Sequence, residues 1–116
     1  MSAIIRHQTT ARYSEVVVHN GTAYLSGQIA DDATEDIRGQ TRQVLGCIDA
    51  LLASVGSDKS RLLSAQIFIR DLADFAAMNE LWDAWLPAGC APARATAEAK
   101  LADPAWKVEI VVVAAA

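Results

Sequence analysis

The segment at residues 89–99, GCAPARATAEA, contains one arginine, Arg94, and no acidic residue before Glu98. A guanidinium keeps its charge and presents a planar fork of donors that matches a carboxylate in a bidentate manner. The small residues on both sides leave room for a small ligand beside that fork. Arg94 is therefore a candidate anion clamp. The alternative is a structural arginine that pairs with an acid or binds a backbone carbonyl.

Glu109 is the second candidate, in the segment KVEIVVV. Strand alternation places Val108, Ile110 and Val112 on one face and Lys107, Glu109, Val111 and Val113 on the other. Glu109 thus shares its face with valines. A partly buried carboxylate suits general acid or base chemistry, because desolvation favours its protonated form. The alternatives are an edge charge and a salt bridge between subunits.

Gly27, in the segment LSGQ, follows a predicted strand, where a glycine often permits close approach of the backbone to a ligand or marks a simple bulge. Ser26 lacks a convincing His and Asp set, so a hydrolase triad is disfavoured. Cys47 lies at helical spacing from Val44 and Leu51 and is predicted to be in the core. The two cysteines share no metal-ligand spacing with the two histidines.

The first half of the chain predicts a hairpin followed by a long helix. Strands at 15–19 and 22–26 flank Asn20 and Gly21, a pair that favours a type I′ turn. Residues 3–6 are a possible short extra strand. Apolar residues at helical spacing predict a helix at 34–55, with a capping box from Asp32 to Glu35 and Gly56 at the C′ position.

The second half predicts a strand at 62–70, an amphipathic helix that carries Phe75, Trp82 and Trp85, and strands at 94–100 and 107–115. Asp71 or Asp74 is the expected N-cap of that helix. The order ββαβαββ predicts an α+β fold with a mixed sheet and both helices on one face. The other face then needs a partner, and a second subunit is the obvious candidate.

Composition excludes several classes of function. The chain has 116 residues, is 53% hydrophobic and carries a net charge of −4, which predicts one globular domain over 1–116 and disfavours nucleic-acid binding. No segment has the length of a membrane span or the pattern of a signal peptide. These features, with two free thiols, indicate a cytoplasmic protein.

Taken together, several motifs resemble one family. YLSGQIA after the Asn-Gly hairpin, the helical region QTRQVLGCIDALL, APARATAEA and the closing VEIVVVAAA follow the order and spacing of the RidA/YjgF family of imine and enamine deaminases. The resemblance runs from about residue 13 to residue 115. It is closest to the compact YoaB-like members, because the loop between SGQ and the first helix is short.

The resemblance implies a chorismate-mutase-like fold, a homotrimer and three sites in clefts between subunits. It also implies hydrolysis of 2-aminoacrylate, 2-iminopropanoate and 2-iminobutanoate to 2-oxo acids and ammonia, without a metal or an organic cofactor. Such intermediates are released by pyridoxal-phosphate dehydratases and damage other enzymes. No nucleic-acid or membrane partner is implied.

The same resemblance assigns expected roles to individual residues. The arginine of the PAR motif falls on Arg94, which would grip the substrate carboxylate. The acid of the last strand falls on Glu109, which would orient or activate water. The glycine of SGQ falls on Gly27, the tyrosine before the hairpin on Tyr13, and the asparagine of the second helix on Asn79, all near the substrate.

Two departures from the family pattern matter. Thr96 stands where the archetype has a cysteine, which is a mild change if that position acts through its backbone. Arg12 stands where the archetype has a proline, and adds a positive charge near the mouth of the site. The alternative functions are a non-catalytic trimer that binds a small 2-oxo-acid-like molecule, a purely structural trimer, and RNA cleavage or translation inhibition, which the acidic composition disfavours.

Overall fold

The N-terminal part of the chain forms three antiparallel strands. A computed structural model describes residues 3–116, with β1 at Ile5–Thr9, β2 at Ser14–His19 and β3 at Thr22–Leu25. Asn20 and Gly21 both have positive φ angles, +53° and +75°, which confirms the predicted type I′ turn. The possible extra strand at 3–6 is present as β1, which begins and ends later than predicted and makes the full order βββαβαββ.

Helix α1, at Ile37–Ser54, lies against the sheet. Its N-cap is Asp36, whose Oδ1 accepts a hydrogen bond from the Gly39 N–H at 2.9 Å. The predicted capping box is wrong, because Asp32 instead accepts from the N–H of Thr34 within its own turn. Gly56 follows the C-cap with φ of +75°, so the predicted C′ glycine is confirmed.

The second half contains β4 at Leu62–Ile69, α2 at Phe75–Trp85, β5 at Ala93–Glu98 and β6 at Val108–Ala115. One-turn 3-10 helices at Lys59–Arg61 and Leu72–Asp74 precede β4 and α2. Asp71 caps the second of these through the Ala73 N–H, while Asp74 occupies the N-cap of α2 without a side-chain hydrogen bond. The predicted N-cap of α2 therefore acts on the turn that leads into it.

The six strands form one mixed sheet in the order β1-β2-β3-β6-β4-β5. The β4 and β5 strands are parallel, and both β3 and β4 are antiparallel to β6. Both helices lie on one face, where they cover the core residues Val16, Val44, Ile48, Leu52, Ile67, Ile110 and Val112. The predicted mixed sheet with two helices on one face is confirmed.

The face of the sheet opposite the helices is uncovered. The described chain measures only 20 Å along its shortest principal axis, which is the thickness of a sheet and one layer of helices. Alternation turns Val17, Tyr24, Phe68, Val111 and Val113 towards this open face, and Tyr24 is 48% exposed. Exposed apolar side chains on a flat sheet are typical of a surface that another molecule covers.

Candidate functional site

A cavity of about 470 Å³ opens where the start of β2, the end of β3 and the start of β6 come close to Cys47, in the middle of α1. Its lining is rich in carboxylates and other polar groups, and comprises Tyr13, Glu15, Ser26, Gly27, Gln28, Ile29, Asp31, Cys47, Trp106 and Glu109. Three of the residues that the sequence singled out, Tyr13, Gly27 and Glu109, are thus brought together here.

Glu109 and Gly27 are in direct contact. Glu109 lies on β6 opposite Phe68, half-buried, on the open face of the sheet. A Cβ atom added to Gly27 would overlap with the Glu109 carboxylate. A side chain at position 27 would therefore displace the Glu109 carboxylate from its present position. The group that approaches Gly27 is a carboxylate of the chain itself, and the approach of its backbone to a ligand stays a prediction.

Glu15 is a site residue that sequence reasoning missed. Its Oε1 accepts from the Ser26 hydroxyl at 3.1 Å, and its Oε2 accepts from Gln28 Nε2 at 3.4 Å. The signal was present in the strand pattern, because Glu15 alternates with the buried Val16. It was not used because an acid on a strand beside a hairpin is usually a solvated charge.

Cys47 lines the cavity and is half-buried, so its predicted place in the core is wrong. Burial raises the pKa of its thiol, and the nearby Asp31 and Glu15 carboxylates raise it further. The thiol is therefore kept protonated, which makes it a poor nucleophile. Cys47 is about one helical turn from the core residues Val44 and Leu51. It lies at the border between the side of α1 that faces the sheet and the side that faces the cavity.

Tyr13 lies at the rim of the cavity, in the turn between β1 and β2. Its backbone carbonyl accepts from the Thr10 N–H at 2.8 Å, and its own N–H donates to Thr10 Oγ1 at 3.2 Å. The side chain is 54% exposed. This turn fixes the backbone and leaves the phenol free to meet a ligand.

Trp106 is placed at the cavity by two side chains that anchor the loop before β6, Arg70 and Gln40. Arg70 donates to the carbonyl oxygens of Trp106 at 2.8 Å, Leu101 at 3.1 Å and Asp103 at 2.9 Å. Gln40, which is fully buried, accepts from the Lys107 N–H at 2.9 Å and donates to Ala105 O at 3.0 Å. These hydrogen bonds satisfy backbone groups of the loop where it crosses the N-terminal end of α1.

Arg94 lies outside this cavity, on β5. Its Nη1 donates to Asn79 Oδ1 at 2.8 Å, and its Cζ lies 5.9 Å from the centroid of the Phe75 ring and 5.6 Å from that of Trp82. These three partners occupy one face of α2, so the helix supports the guanidinium from one side. Arg94 is exposed and, within residues 3–116, has no acidic partner.

Thr96 lies two residues further along β5, opposite Ile67 on the same face of the sheet as Arg94. Its Oγ1 is buried and has no hydrogen-bond partner within residues 3–116. An unpaired buried hydroxyl carries a desolvation cost. Arg94, Asn79 and Thr96 thus form a second group of predicted site residues, apart from the cavity.

Arg94 and Glu109 do not meet within one chain. Along β4, Arg94 is in register with Ala65 and Glu109 with Phe68, so about 10 Å along the strands and about 10 Å across them separate the two backbones. The side chains also lie on opposite faces, because Arg94 packs on α2 while Glu109 points to the open face. Any ligand that touches both must therefore lie between two copies of the chain.

A shallow groove of about 440 Å³ runs along the open face beside β5. It is lined by small or apolar residues together with Arg94 at its edge: Ser64, Ala65, Gln66, Ala93, Ala95, Val111 and Val113. Within residues 3–116, no group of three His, Cys, Asp or Glu side chains is close enough to hold a metal ion. No helix in that range has the length and apolar character needed to cross a membrane.

The profile of the family described as Endoribonuclease L-PSP matches residues 4–116. Among curated relatives, a RutC family protein of Haemophilus influenzae is 53% identical over 90% of this chain and 91% of its own length. The RutC family protein YoaB of Escherichia coli is 49% identical over 97% of each chain.

The structural comparison agrees. NMB1025 of Neisseria meningitidis, described as a member of the YjgF protein family, superposes with a TM-score of 0.95 at 49% identity, over 97% of this chain and 94% of its own. A more distant relative is the chloroplastic Reactive Intermediate Deaminase A of Arabidopsis thaliana, 32% identical over 84% of this chain and 55% of its own length. The chain belongs to the RidA/YjgF family, whose profile covers nearly its whole length.

Proposed function

We propose that the protein hydrolyses reactive 2-imino and 2-enamino acids to 2-oxo acids and ammonia, without a cofactor, in sites formed between the subunits of a homotrimer. The observation that carries the proposal concerns Arg94. The fold supports its guanidinium but gives it no acidic partner within residues 3–116, and Arg94 cannot reach the acid-lined cavity of its own chain. In the proposed trimer, a second copy of the chain packs on the open apolar face and brings Arg94 of one subunit next to the acid-lined cavity of its neighbour. The name of the deaminase relative supports the reaction.

Arg94 binds the substrate carboxylate in this proposal. Asn79 occupies one guanidinium nitrogen, and the Phe75 and Trp82 rings lie under the group. The remaining N–H groups of the fork stay available for a bidentate contact with a carboxylate. Thr96, on the same face of β5, lies beside the bound acid, where its unpaired hydroxyl gains a partner.

Glu109 of the neighbouring subunit handles the proton. A water molecule attacks C2 of the iminium, and its oxygen bonds to C2 as Glu109 takes one of its protons. The C=N bond becomes a C–N bond. Glu109 then returns that proton to the nitrogen and takes the proton of the new hydroxyl group as the C–N bond breaks. The C=O bond forms, ammonia leaves, and Glu109 releases the remaining proton to solvent. The iminium carbon is already electrophilic, so positioning and one general base are sufficient.

Gly27 and Tyr13 complete the proposed site on the Glu109 side. Because Gly27 has no side chain, its backbone borders both the cavity and the carboxylate. Tyr13, at the rim, is placed to cover the bound substrate on its open side. Both positions match the roles that the family resemblance gives them.

A coupled deaminase assay tests the proposal. A dehydratase generates 2-aminoacrylate or 2-iminobutanoate, and semicarbazide traps whatever imine remains. Wild-type protein is expected to suppress trapping and the Arg94→Ala variant is not. If neither protein suppresses it although both are folded trimers, the deaminase proposal fails for these substrates, and a non-catalytic binding trimer becomes the better interpretation.

The location of the site between subunits has its own test. Arg94→Ala and Glu109→Gln chains are inactive alone, and are then unfolded together and reassembled in equal amounts. If each site takes Arg94 from one subunit and Glu109 from its neighbour, about one quarter of the sites in random mixed trimers carry both intact residues. Recovery of about that fraction of wild-type activity supports the shared site. No recovery, when wild-type chains treated in the same way regain activity, would contradict the shared site.

RNA cleavage, the activity in the name of the Endoribonuclease L-PSP family, is the weaker candidate. The chain has a net charge of −4, and no basic residue lines the Glu109 cavity within residues 3–116. Affinity for RNA derives largely from neutralising phosphates with Lys and Arg. Tight, salt-sensitive binding of single-stranded RNA would reverse this ranking.

A further inference from the structure

The segment Ser26, Gly27 and Gln28 forms the cavity wall that lies against Glu109, and Glu15 holds that wall from the other side. The Glu15 carboxylate accepts from the Ser26 hydroxyl at 3.1 Å and from Gln28 Nε2 at 3.4 Å. Gln28 Nε2 also donates to the backbone carbonyl and the hydroxyl of Ser26, at 3.0 and 3.2 Å. One carboxylate therefore ties together the residues on both sides of Gly27.

This arrangement sets which way the Gln28 amide points. Its NH₂ group is turned towards Glu15 and Ser26, because only a donor can face a carboxylate. Its Oε1 makes no hydrogen bond within residues 3–116 and is not a fully buried atom, although Gln28 as a whole is only 6% exposed. The free oxygen therefore faces the cavity that Gln28 lines.

The wall consequently offers acceptors and negative charge to a ligand. Glu15, Asp31 and Glu109 all line the cavity, and no Lys, Arg or His does so within the described chain. The same negative charge acts on Cys47. Burial raises the pKa of its thiol, and the Asp31 and Glu15 carboxylates raise it further. A substrate whose own carboxylate is held by Arg94 meets this wall with its remaining groups.

Building on the proposed function, we propose that Glu15 is a positioning residue that sets the side-chain specificity of the deaminase. By fixing Ser26 and Gln28 and adding its own charge, it makes this wall negatively charged. The site then accepts imino acids whose side chain is neutral and excludes those that carry a second carboxylate, because like charges brought together in a site repel each other strongly.

The test compares two imines of similar length. Amino-acid oxidases convert methionine and glutamate to their 2-imino acids in situ, and semicarbazide traps the residual imine. We expect the wild-type protein to favour the methionine-derived imine by about 100-fold in kcat/KM. In Glu15→Gln this ratio falls by about tenfold, because the amide keeps a hydrogen-bond acceptor for Ser26 and loses the charge.

Two controls separate charge from structure. Asp83→Asn removes one negative charge at an exposed position outside the cavity, and is expected to leave the ratio unchanged. Glu15→Ala releases the wall altogether, and is expected to lower kcat for both imines. Glu15→Gln, in contrast, is expected to lower kcat for the methionine-derived imine less than Glu15→Ala does, because the amide still accepts from Ser26.

The inference is overturned if the wild-type protein hydrolyses both imines equally well, or if Glu15→Gln keeps the full preference. If Glu15→Gln does not fold, the salt dependence of the wild-type protein decides: the preference must weaken as ionic strength rises, and a constant preference overturns the inference. Hydrolysis of neither imine by wild-type protein is the separate failure of the proposed function.

Discussion

Arg70 and Arg94 are two arginines on neighbouring strands with opposite uses. Arg70, at the end of β4, donates to three backbone carbonyls of the loop before β6 and is half-buried. Arg94, on β5, donates to one neutral amide oxygen and is exposed. The first guanidinium is satisfied by the fold. The second is supported by the fold and left with free donors, as a ligand-binding group must be.

The largest expected effect comes from removing the free arginine. Arg94→Ala should lower kcat/KM for 2-iminobutanoate by roughly 10²–10³-fold, since it loses a charge-assisted bidentate contact of about 3–4 kcal/mol. Its free energy of unfolding should change by less than about 0.5 kcal/mol. Steady-state kinetics and urea unfolding at a fixed protomer concentration measure both. A large loss of stability would make Arg94 structural, like Arg70.

Removing the satisfied arginine should give the reverse pattern. Arg70→Ala leaves the carbonyls of Trp106, Leu101 and Asp103 without their donor, and should lower the free energy of unfolding by about 2–4 kcal/mol. Any loss of activity should follow from displacement of Trp106. Urea unfolding and the intrinsic Trp fluorescence report the two effects. A variant as stable as wild type would contradict the assignment of Arg70 as a loop anchor.

Gln40 anchors the same loop from the other side and sharpens the comparison. Gln40→Leu removes the partners of the Lys107 N–H and the Ala105 carbonyl, and should cost about 1–3 kcal/mol of stability. Because both anchors hold one loop, the double variant with Arg70→Ala should lose less than the sum of the two single losses. Strict additivity in a double-mutant cycle would indicate that the two anchors act on separate structures.

Among residues 3–116, Asn79 accepts the one side-chain hydrogen bond that orients Arg94. Asn79→Ala leaves the charge in place and removes that support, so kcat/KM should fall by roughly tenfold, equivalent to about 1–1.5 kcal/mol. Raising the substrate concentration should recover part of the rate, because binding is impaired more than chemistry. An unchanged KM would show that the Phe75 and Trp82 rings hold the guanidinium without Asn79.

Thr96 gives the smallest expected effect, and one of opposite sign. Thr96→Val removes a buried hydroxyl that has no partner within residues 3–116, so it should raise the free energy of unfolding by about 0.5–1 kcal/mol. The matched Thr96→Cys variant restores the residue of the family archetype. If Thr96→Val loses activity and Thr96→Cys keeps it, the hydroxyl is used by the ligand.

Elements with strong local patterns could be predicted from the sequence. The alternation of Val108, Ile110 and Val112 with Glu109 fixed the inner face of β6, and the positive φ angles of Asn20 and Gly21 followed from their residue types. The strand β1 was placed too early, because its residues IRHQT have no apolar alternation. It is held by its backbone pairing with β2, which no side-chain pattern reports.

The candidate site could be predicted only in part. Gly27 and Glu109 were identified separately, and their contact depends on the register between β3 and β6, which the sequence does not state. Glu15 and Trp106 were not predicted as site residues, because only their contacts in the folded chain place them at the cavity. The separation of Arg94 from Glu109 became visible only once β4 was found between their strands.

The open face of the sheet has a consequence for how the protein is made. Each newly synthesised chain carries an uncovered apolar surface, and β5 forms an edge of the sheet with the small exposed residues Ala93, Ala95 and Ala97. An unprotected edge of this kind also templates pairing with unrelated strands. Formation of the proposed trimer would therefore compete with aggregation during biosynthesis. Slower synthesis at a lower temperature should raise the soluble yield, most of all for variants that weaken subunit association.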